Sequence, residues 1–403
     1  MDCYAMKKIL FVTPELYYTG AQRMVLLMSK TAIELGYEVS VWSNVSGPYE
    51  KEYQSLGIDI SVVPSDHLHR PDIVRRIKQF DLAICNTINT DAFARVCCRY
   101  IPTVWYIHEA DNLLLFINGN ERRLDWLKHS HEIICVSEYA AKIIKEYTSY
   151  DVPVVKNCVE DVADRFPSDD SENKQTVKFI QLGYIEAIKG YDVLLDAFLK
   201  LSPQYQNQVK LFFAGRVSPR TKTYADQIIN MANEIEFVTY FGDLSADEAL
   251  KAISEMDVVI VASRGESCSM VALEGAMLSK PLILTENVGA KYMVRGDNGY
   301  IVKTGDSDSL KDAIEKMIDR KDQLKDMGKR SRAYYEKMAS FDTYRTEMAK
   351  LFLLCEKKGT PLFILECVRN RIITSDILWG LRALRKYGIK YTFKHTIARM
   401  CLK

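Results

Sequence analysis

The feature that most limits how this chain can fold is an alternation, met twice, of short apolar runs with longer stretches of helical periodicity. Apolar runs of that length, bounded by turns, are strands buried on both faces, so the alternation predicts parallel sheets covered by helices. In the first round, residues 8–13 are a strand, Tyr18-Thr19-Gly20 a turn, and Met24, Leu27, Met28, Ala32 and Leu35 an apolar helical face that stops before Gly36. Further strands are expected at 38–42, 59–63, 82–85, 103–107 and 133–136. The polar stretch 168–174 reads as a linker. The rhythm restarts at 177–182 and continues at 210–214, 238–241, 258–262 and 281–284, with helices between and then around 310–318 and 341–355. The expected fold class is α/β: two Rossmann-like doubly wound domains, 1–167 and 174–340, then a helix over 341–356 and a tail over 357–403. A chain of 403 residues is long enough for two such cores with a cleft between them.

Charge and cysteine content narrow the function. With 54 basic against 53 acidic residues the net charge is +1, so no global field recommends a nucleic-acid partner. The balance is uneven: residues 357–403 hold 11 Lys or Arg against Glu366 and Asp376, a local +9, which leaves about −8 on the first 356 residues. Of the ten cysteines, Cys97 and Cys98 are adjacent and the others form no CxxC pair, which predicts reduced thiols. No run approaches the ~18 apolar residues of a membrane span, and the opening run 9–12 stops at Thr13-Pro14, short of a signal-peptide core. A cytoplasmic location is expected.

Doubly wound domains bind ligands at the carboxyl ends of their strands, so the strand-to-helix joints carry the functional reading. The most informative joint is Ser263-Arg264-Gly265-Glu266-Ser267-Cys268-Ser269-Met270-Val271-Ala272-Leu273-Glu274-Gly275. Met270, Leu273 and Met277 form an apolar face, so a helix begins near Ser267 or Ser269, both suited to N-capping. Its unpaired amides and positive dipole end predict a phosphate or diphosphate site. Glu266 falls in the loop before that helix; Glu274, about one turn inside, faces the cleft as an acceptor for vicinal hydroxyls. On spacing alone, two solvated surface glutamates remain the alternative. At a second joint, Gly183 and Gly190 bracket Lys189, which lets backbone approach an anion while the lysine supplies charge. A third, Tyr17-Tyr18-Thr19-Gly20-Ala21-Gln22-Arg23, lacks GxGxxG and so disfavours a dinucleotide-binding dehydrogenase.

Taken in order, these joints resemble those of the family-4 retaining glycosyltransferases of the GT-B fold (glycosyl transferases group 1). Glu266 and Glu274 form the family's E-x7-E pair inside Ser263…Glu266…Glu274-Gly275-Ala276…Lys280-Pro281…Gly289…Asn298-Gly299…Gly305-Asp306. The Gly183…Lys189-Gly190 turn, Val155…Asn157 and Phe213-Ala214-Gly215 match as well, most closely over residues 177–318. The resemblance implies a nucleotide sugar as donor substrate, with no separate cofactor. Glu274 would hold the ribose hydroxyls, Lys189 and the amides of Ser269, Met270 and Val271 the diphosphate, and Glu266 the donor sugar. Gly20 and Gly183 would let backbone approach the phosphates, and the helix over 341–356 would return to the first domain. Many relatives have Arg where this chain has Tyr184, which shifts phosphate binding toward Lys189 and the helix amides, with Arg216 and Arg264 as further candidates.

His108 follows the strand at 103–107, where family members often carry a histidine beside the reacting sugar; a structural, hydrogen-bonded His108 is the alternative. The catalytic set is therefore Glu266, His108 and Lys189. No metal is expected: the other histidines share no ligand spacing, and Asp306-Ser307-Asp308 reads as a helix start capped by Ser307 or Asp308. In the tail, Ile373, Ile377, Leu381 and Leu384 fall at helical spacing beside Arg382, Arg385 and Lys386, which predicts an interfacial helix on an anionic membrane face; a stripe packed on the protein's own domains, with its charges solvated, is the alternative. The expected acceptor is a glycan or a lipid-linked glycan in cell-surface polysaccharide synthesis. Rival readings are a catalytically silent scaffold of the same fold and a GT-B epimerase or phosphorylase.

Overall fold

The computed structural model describes residues 7–111, 113, 132–148, 151–167 and 175–358. The expected linker 168–174, His129, His131 and the tail beyond 358 lie outside the described residues. Two six-stranded sheets, every pair parallel, organise the rest. The first contains β1 (Lys8–Glu15), β2 (Glu38–Val45), β3 (Asp59–Val62), β4 (Leu82–Asn86), β5 (Thr103–Ile107) and β6 (Glu132–Cys135), in the order β3-β2-β1-β4-β5-β6. The second contains β7 (Val177–Leu182), β8 (Val209–Ala214), β9 (Val238–Tyr240), β10 (Val258–Val261), β11 (Leu282–Thr285) and β12 (Gly299–Val302), in the order β12-β11-β10-β7-β8-β9. Counted from its own first strand, each sheet runs 3-2-1-4-5-6. This is the order of a doubly wound dinucleotide-binding fold.

The central strands are apolar because helices cover both faces: Ile9, Leu10, Phe11 and Val12 of β1 and all four residues of β10 are buried. Phe11 pairs in register with Val41 on one side and Ile84 on the other. Two elements go beyond the expected rhythm, β12 and the helix Leu324–Met338. The buried face of that helix includes Gly328 and Ser331 beside Leu324, Met327 and Tyr335. Its apolar period is therefore too weak to read from the sequence. A Cβ on Gly328 would stand 2.0 Å from the Ser279 carbonyl oxygen, so a small residue is required where this helix packs on the second domain.

The chain then crosses back. The helix Phe341–Lys358 lays Phe352 against Phe11 at 6.5 Å and Tyr37 at 5.7 Å, ring centroid to centroid, and Arg345 pairs with Glu34 at 3.0 Å. Full burial of Phe352 is worth roughly 1.5–3 kcal/mol. Among the described residues no helix is long and apolar enough to cross a membrane.

Candidate active site

In a doubly wound sheet the crevice opens where the strand order reverses, here between β1 and β4 and between β7 and β10. Gly20 follows β1; the Gly183 turn follows β7, and the Ser263 loop follows β10. The second-domain joint is clamped by buried Gln181, whose Nε2 donates to the Lys189 carbonyl at 2.9 Å while its Oε1 accepts from the Ala262 amide at 2.9 Å. Gly190 adopts φ 71°, and a Cβ there would stand 2.2 Å from the Ala262 oxygen, so only glycine closes this turn without strain.

The turn and the loop meet through their charged groups. Lys189 Nζ lies 3.0 Å from Glu266 Oε1, and Ser263 Oγ donates to Glu266 Oε2 at 2.8 Å. Glu266 is also fixed by its backbone: its amide donates to the Asn287 carbonyl at 3.1 Å and its carbonyl accepts from the Gly289 amide at 2.8 Å. Neither glutamate of the pair is a solvated surface group, with side-chain exposures of 17% for Glu266 and 14% for Glu274. Arg264 forks onto both oxygens of Asp192 at 2.8 and 2.6 Å, and Arg216 Nε is held by Asp243 at 2.8 Å. These pairs give both arginines structural partners, while Tyr184 is 43% exposed at the turn.

The helix Met270–Met277 starts at Ser269, whose Oγ accepts from the Ala272 amide at 3.3 Å. Ser269 stands at φ 95°, a conformation costly for a residue other than glycine. Helix geometry leaves the first-turn amides of Met270 and Val271 without a partner inside the helix. Glu274, near the middle of this helix, ion-pairs with Arg23 of the first domain, Oε1 to Nη1 3.0 Å. Burial pushes the Glu274 carboxyl above the usual range while Arg23 pulls it back. Beside this pair Gly20 faces Met270: a Cβ on Gly20 would come within 3.2 Å of Met270 Cγ.

Two more contacts bring the first domain onto the Glu266 loop. Ser137 Oγ donates to the Ser267 carbonyl. Asp111 accepts from the Tyr139 hydroxyl at 2.7 and 2.8 Å, and its carboxylate lies so close over Gly265 that a Cβ there would stand 1.9 Å from Oδ2. His108 sits at the end of β5 with its ring 4.5 Å from that of Tyr106. Its Nε2 is buried without a hydrogen-bond partner, and burial lowers its pKa to about 3, so the imidazole is neutral. Glu109 accepts from the amides of Ile88 at 3.0 Å and His108 at 3.1 Å, yet burial raises it to about 7.

The sequence candidates gather after the strands, with His108 at the end of β5 and Glu274 inside the helix that follows β10, and the contacts bring Gly20 to Met270 and Lys189 to Glu266. The sequence assigns no role to Arg23, Glu109, Asp111 or Ser137. The place of Arg23 just past β1 was a signal for it; nothing in the sequence pointed Asp111 at Gly265. The cap of the helix Ser307–Asp319 falls on Asp306, which accepts from the Ser309 amide at 2.9 Å, rather than on Ser307 or Asp308. Among the described residues no three His, Cys, Asp or Glu gather as a metal site.

Two doubly wound domains of identical strand order, meeting over a loop with an E-x7-E pair, define a GT-B fold. Residues 18–161 match the description Glycosyltransferase Family 4 and residues 163–334 match Glycosyl transferases group 1; the chain belongs to this family. It is 25% identical over 243 residues to an uncharacterized glycosyltransferase of Methanocaldococcus jannaschii, covering 59% of this chain and 65% of that protein. Several other relatives are matched over only about a third of their own lengths. The alpha-1,3/1,6-mannosyltransferase ALG2 of Mus musculus is 21% identical over 398 residues, 84% of this chain and 94% of that protein. Among solved structures, Anabaena HepE in complex with UDP and glucose superposes with a TM-score of 0.71 at 16% identity, over 86% of this chain and 99% of that one.

Proposed function

We propose that the chain is a retaining glycosyltransferase that moves a sugar from a nucleoside diphosphate sugar to a glycan or lipid-linked acceptor. The observation that supports this most is the meeting of Gly20 with Met270 at the start of the helix Met270–Met277, flanked by the Lys189–Glu266 and Arg23–Glu274 pairs. A diphosphate at that helix start takes the amides of Ser269, Met270 and Val271 and the charge of Lys189. Gly20 and Gly183 leave room for backbone beside it. Glu274 accepts from the ribose hydroxyls, and Glu266 contacts the donor sugar. Neutral His108 accepts a hydrogen bond at its buried Nε2 or donates one, depending on tautomer, next to the reacting sugar. Stabilisation of the departing diphosphate is then the main catalytic contribution. Its relative HepE was solved with UDP-glucose, which makes UDP-sugars the first donors to try.

The test is calorimetric titration of UDP-, GDP- and ADP-sugars, followed by an assay of transfer and of donor hydrolysis. Binding of none of them removes the reading; binding without transfer or hydrolysis leaves a sugar-nucleotide-binding scaffold. Residues 357–403, with their local +9, supply the attachment to an anionic cytoplasmic membrane face. Flotation with anionic liposomes at low and high salt checks this, and equal flotation of a chain ending at Glu356 rejects it.

A further inference from the structure

Glu274 belongs to the second domain, but the cation that faces it belongs to the first. Arg23 reaches it from the opening turn of the helix Gly20–Glu34, and the pair is largely enclosed, with side-chain exposures of 26% and 14%. The other neighbours of the helix Met270–Met277 offer Glu274 no substitute. Strands β10 and β11 carry no titratable group. From the helix Ala246–Ser254, Asp247 is paired with Arg165, Glu248 bonds its own cap, and Lys251 is exposed. From the helix Leu324–Met338, Arg330 and Arg332 are held by Asp297 and Asp161. Lys291 of the segment Gly289–Met293 donates to the Glu286 carbonyl, and Lys189 is held by Glu266.

We propose that Arg23 is a positioning residue for donor binding: it reaches across the cleft to keep the Glu274 carboxylate ionised and fixed, so that the second domain's ribose-binding group is complete only with the first domain in place. This rests on the donor-site reading above. An ionised carboxylate presents an acceptor oxygen to each of two ribose hydroxyls, whereas protonation turns one of those oxygens into a donor. Burial already favours the protonated form, and among the described residues Arg23 is the charged side chain that opposes it. Loss of that counter-ion makes donor binding more sensitive to acid.

The experiment titrates the full-length protein, its Arg23→Gln and its Arg23→Lys variants with the nucleotide sugar that the wild type binds best, at pH values from 6 to 9, with thermal melts as a control for folding. Arg23→Gln is expected to bind roughly tenfold more weakly at the acid end of this range, the size of one lost charge-assisted hydrogen bond. Its affinity should return toward wild type as pH rises, and Arg23→Lys should track the wild type throughout. A role confined to holding the helices together lowers the melting temperature without changing the pH profile. A profile for Arg23→Gln that superposes on the wild type therefore overturns the inference alone, whereas absence of binding to the wild type overturns the donor-site reading and this inference with it.

Discussion

His108 and Glu109 are adjacent residues whose buried groups pull stability in opposite directions. Glu109 binds its proton more tightly folded, about 7 against 4.5, so the stability it contributes is complete below pH 4.5 and is lost as pH rises to about 7. His108 binds its proton more weakly folded, about 3 against 6.5, so its contribution is complete above pH 6.5 and is lost as pH falls toward 3. Between pH 4.5 and 6.5 the two slopes, each about 1.4 kcal/mol per pH unit, cancel. Glu109→Gln removes one of them. Urea unfolding should find this variant up to about 3 kcal/mol more stable than wild type at pH 8 and indistinguishable from it at pH 4.5. For the donor site, Lys189→Ala and Glu274→Gln should each weaken nucleotide-sugar binding by roughly tenfold or more in calorimetry, since each removes a charge-assisted contact. The placing of Lys189, Glu266 and Glu274 after β7 and β10 was legible from their offsets, whereas the donor-site roles expected of them rest on the family resemblance. Arg23 on Glu274 and Asp111 on Gly265 were not legible, because no local pattern encodes how two domains face each other.

At the scale of elements, eleven of the twelve described strands were readable, while β12 and the least apolar helix were not. Five-residue runs such as Thr103–Ile107, buried throughout, announce themselves by composition alone. The helix Leu324–Met338 hides its packing face behind Gly328 and Ser331, and β12 is a short strand that opens on a glycine with Ile301 exposed. The turn at Gly183–Gly190 is where an element meets the site most tightly. Gly190→Ala places a methyl group against the Ala262 carbonyl and imposes a positive φ on alanine, so β7 and β10 must part to admit it. An equilibrium unfolding loss of about 1–3 kcal/mol is expected, together with weaker donor binding as Lys189 is displaced. A Gly190→Ala protein with wild-type stability and affinity would show that the turn is more pliable than this packing implies.

Over the whole molecule, the carboxylates that resemble a metal motif are engaged in holding structure. Asp306 caps its helix, and Asp308 pairs with Lys200 at 3.1 Å. Sugar transfer should therefore survive EDTA; abolition by the chelator with recovery on adding manganese or magnesium would contradict this. The return of the last described helix is the other molecule-wide feature. Phe352→Ala should cost about 3–5 kcal/mol, read as a lowered denaturation midpoint for the first domain, because Phe11 and Tyr37 lose the ring that closes over them. That contact also sets a timetable for synthesis. Phe352 is made more than three hundred residues after Phe11, a delay on the order of tens of seconds at ordinary elongation rates. Until then the nascent first domain exposes an aromatic seam, and a chaperone that shields apolar surface has its longest opportunity there.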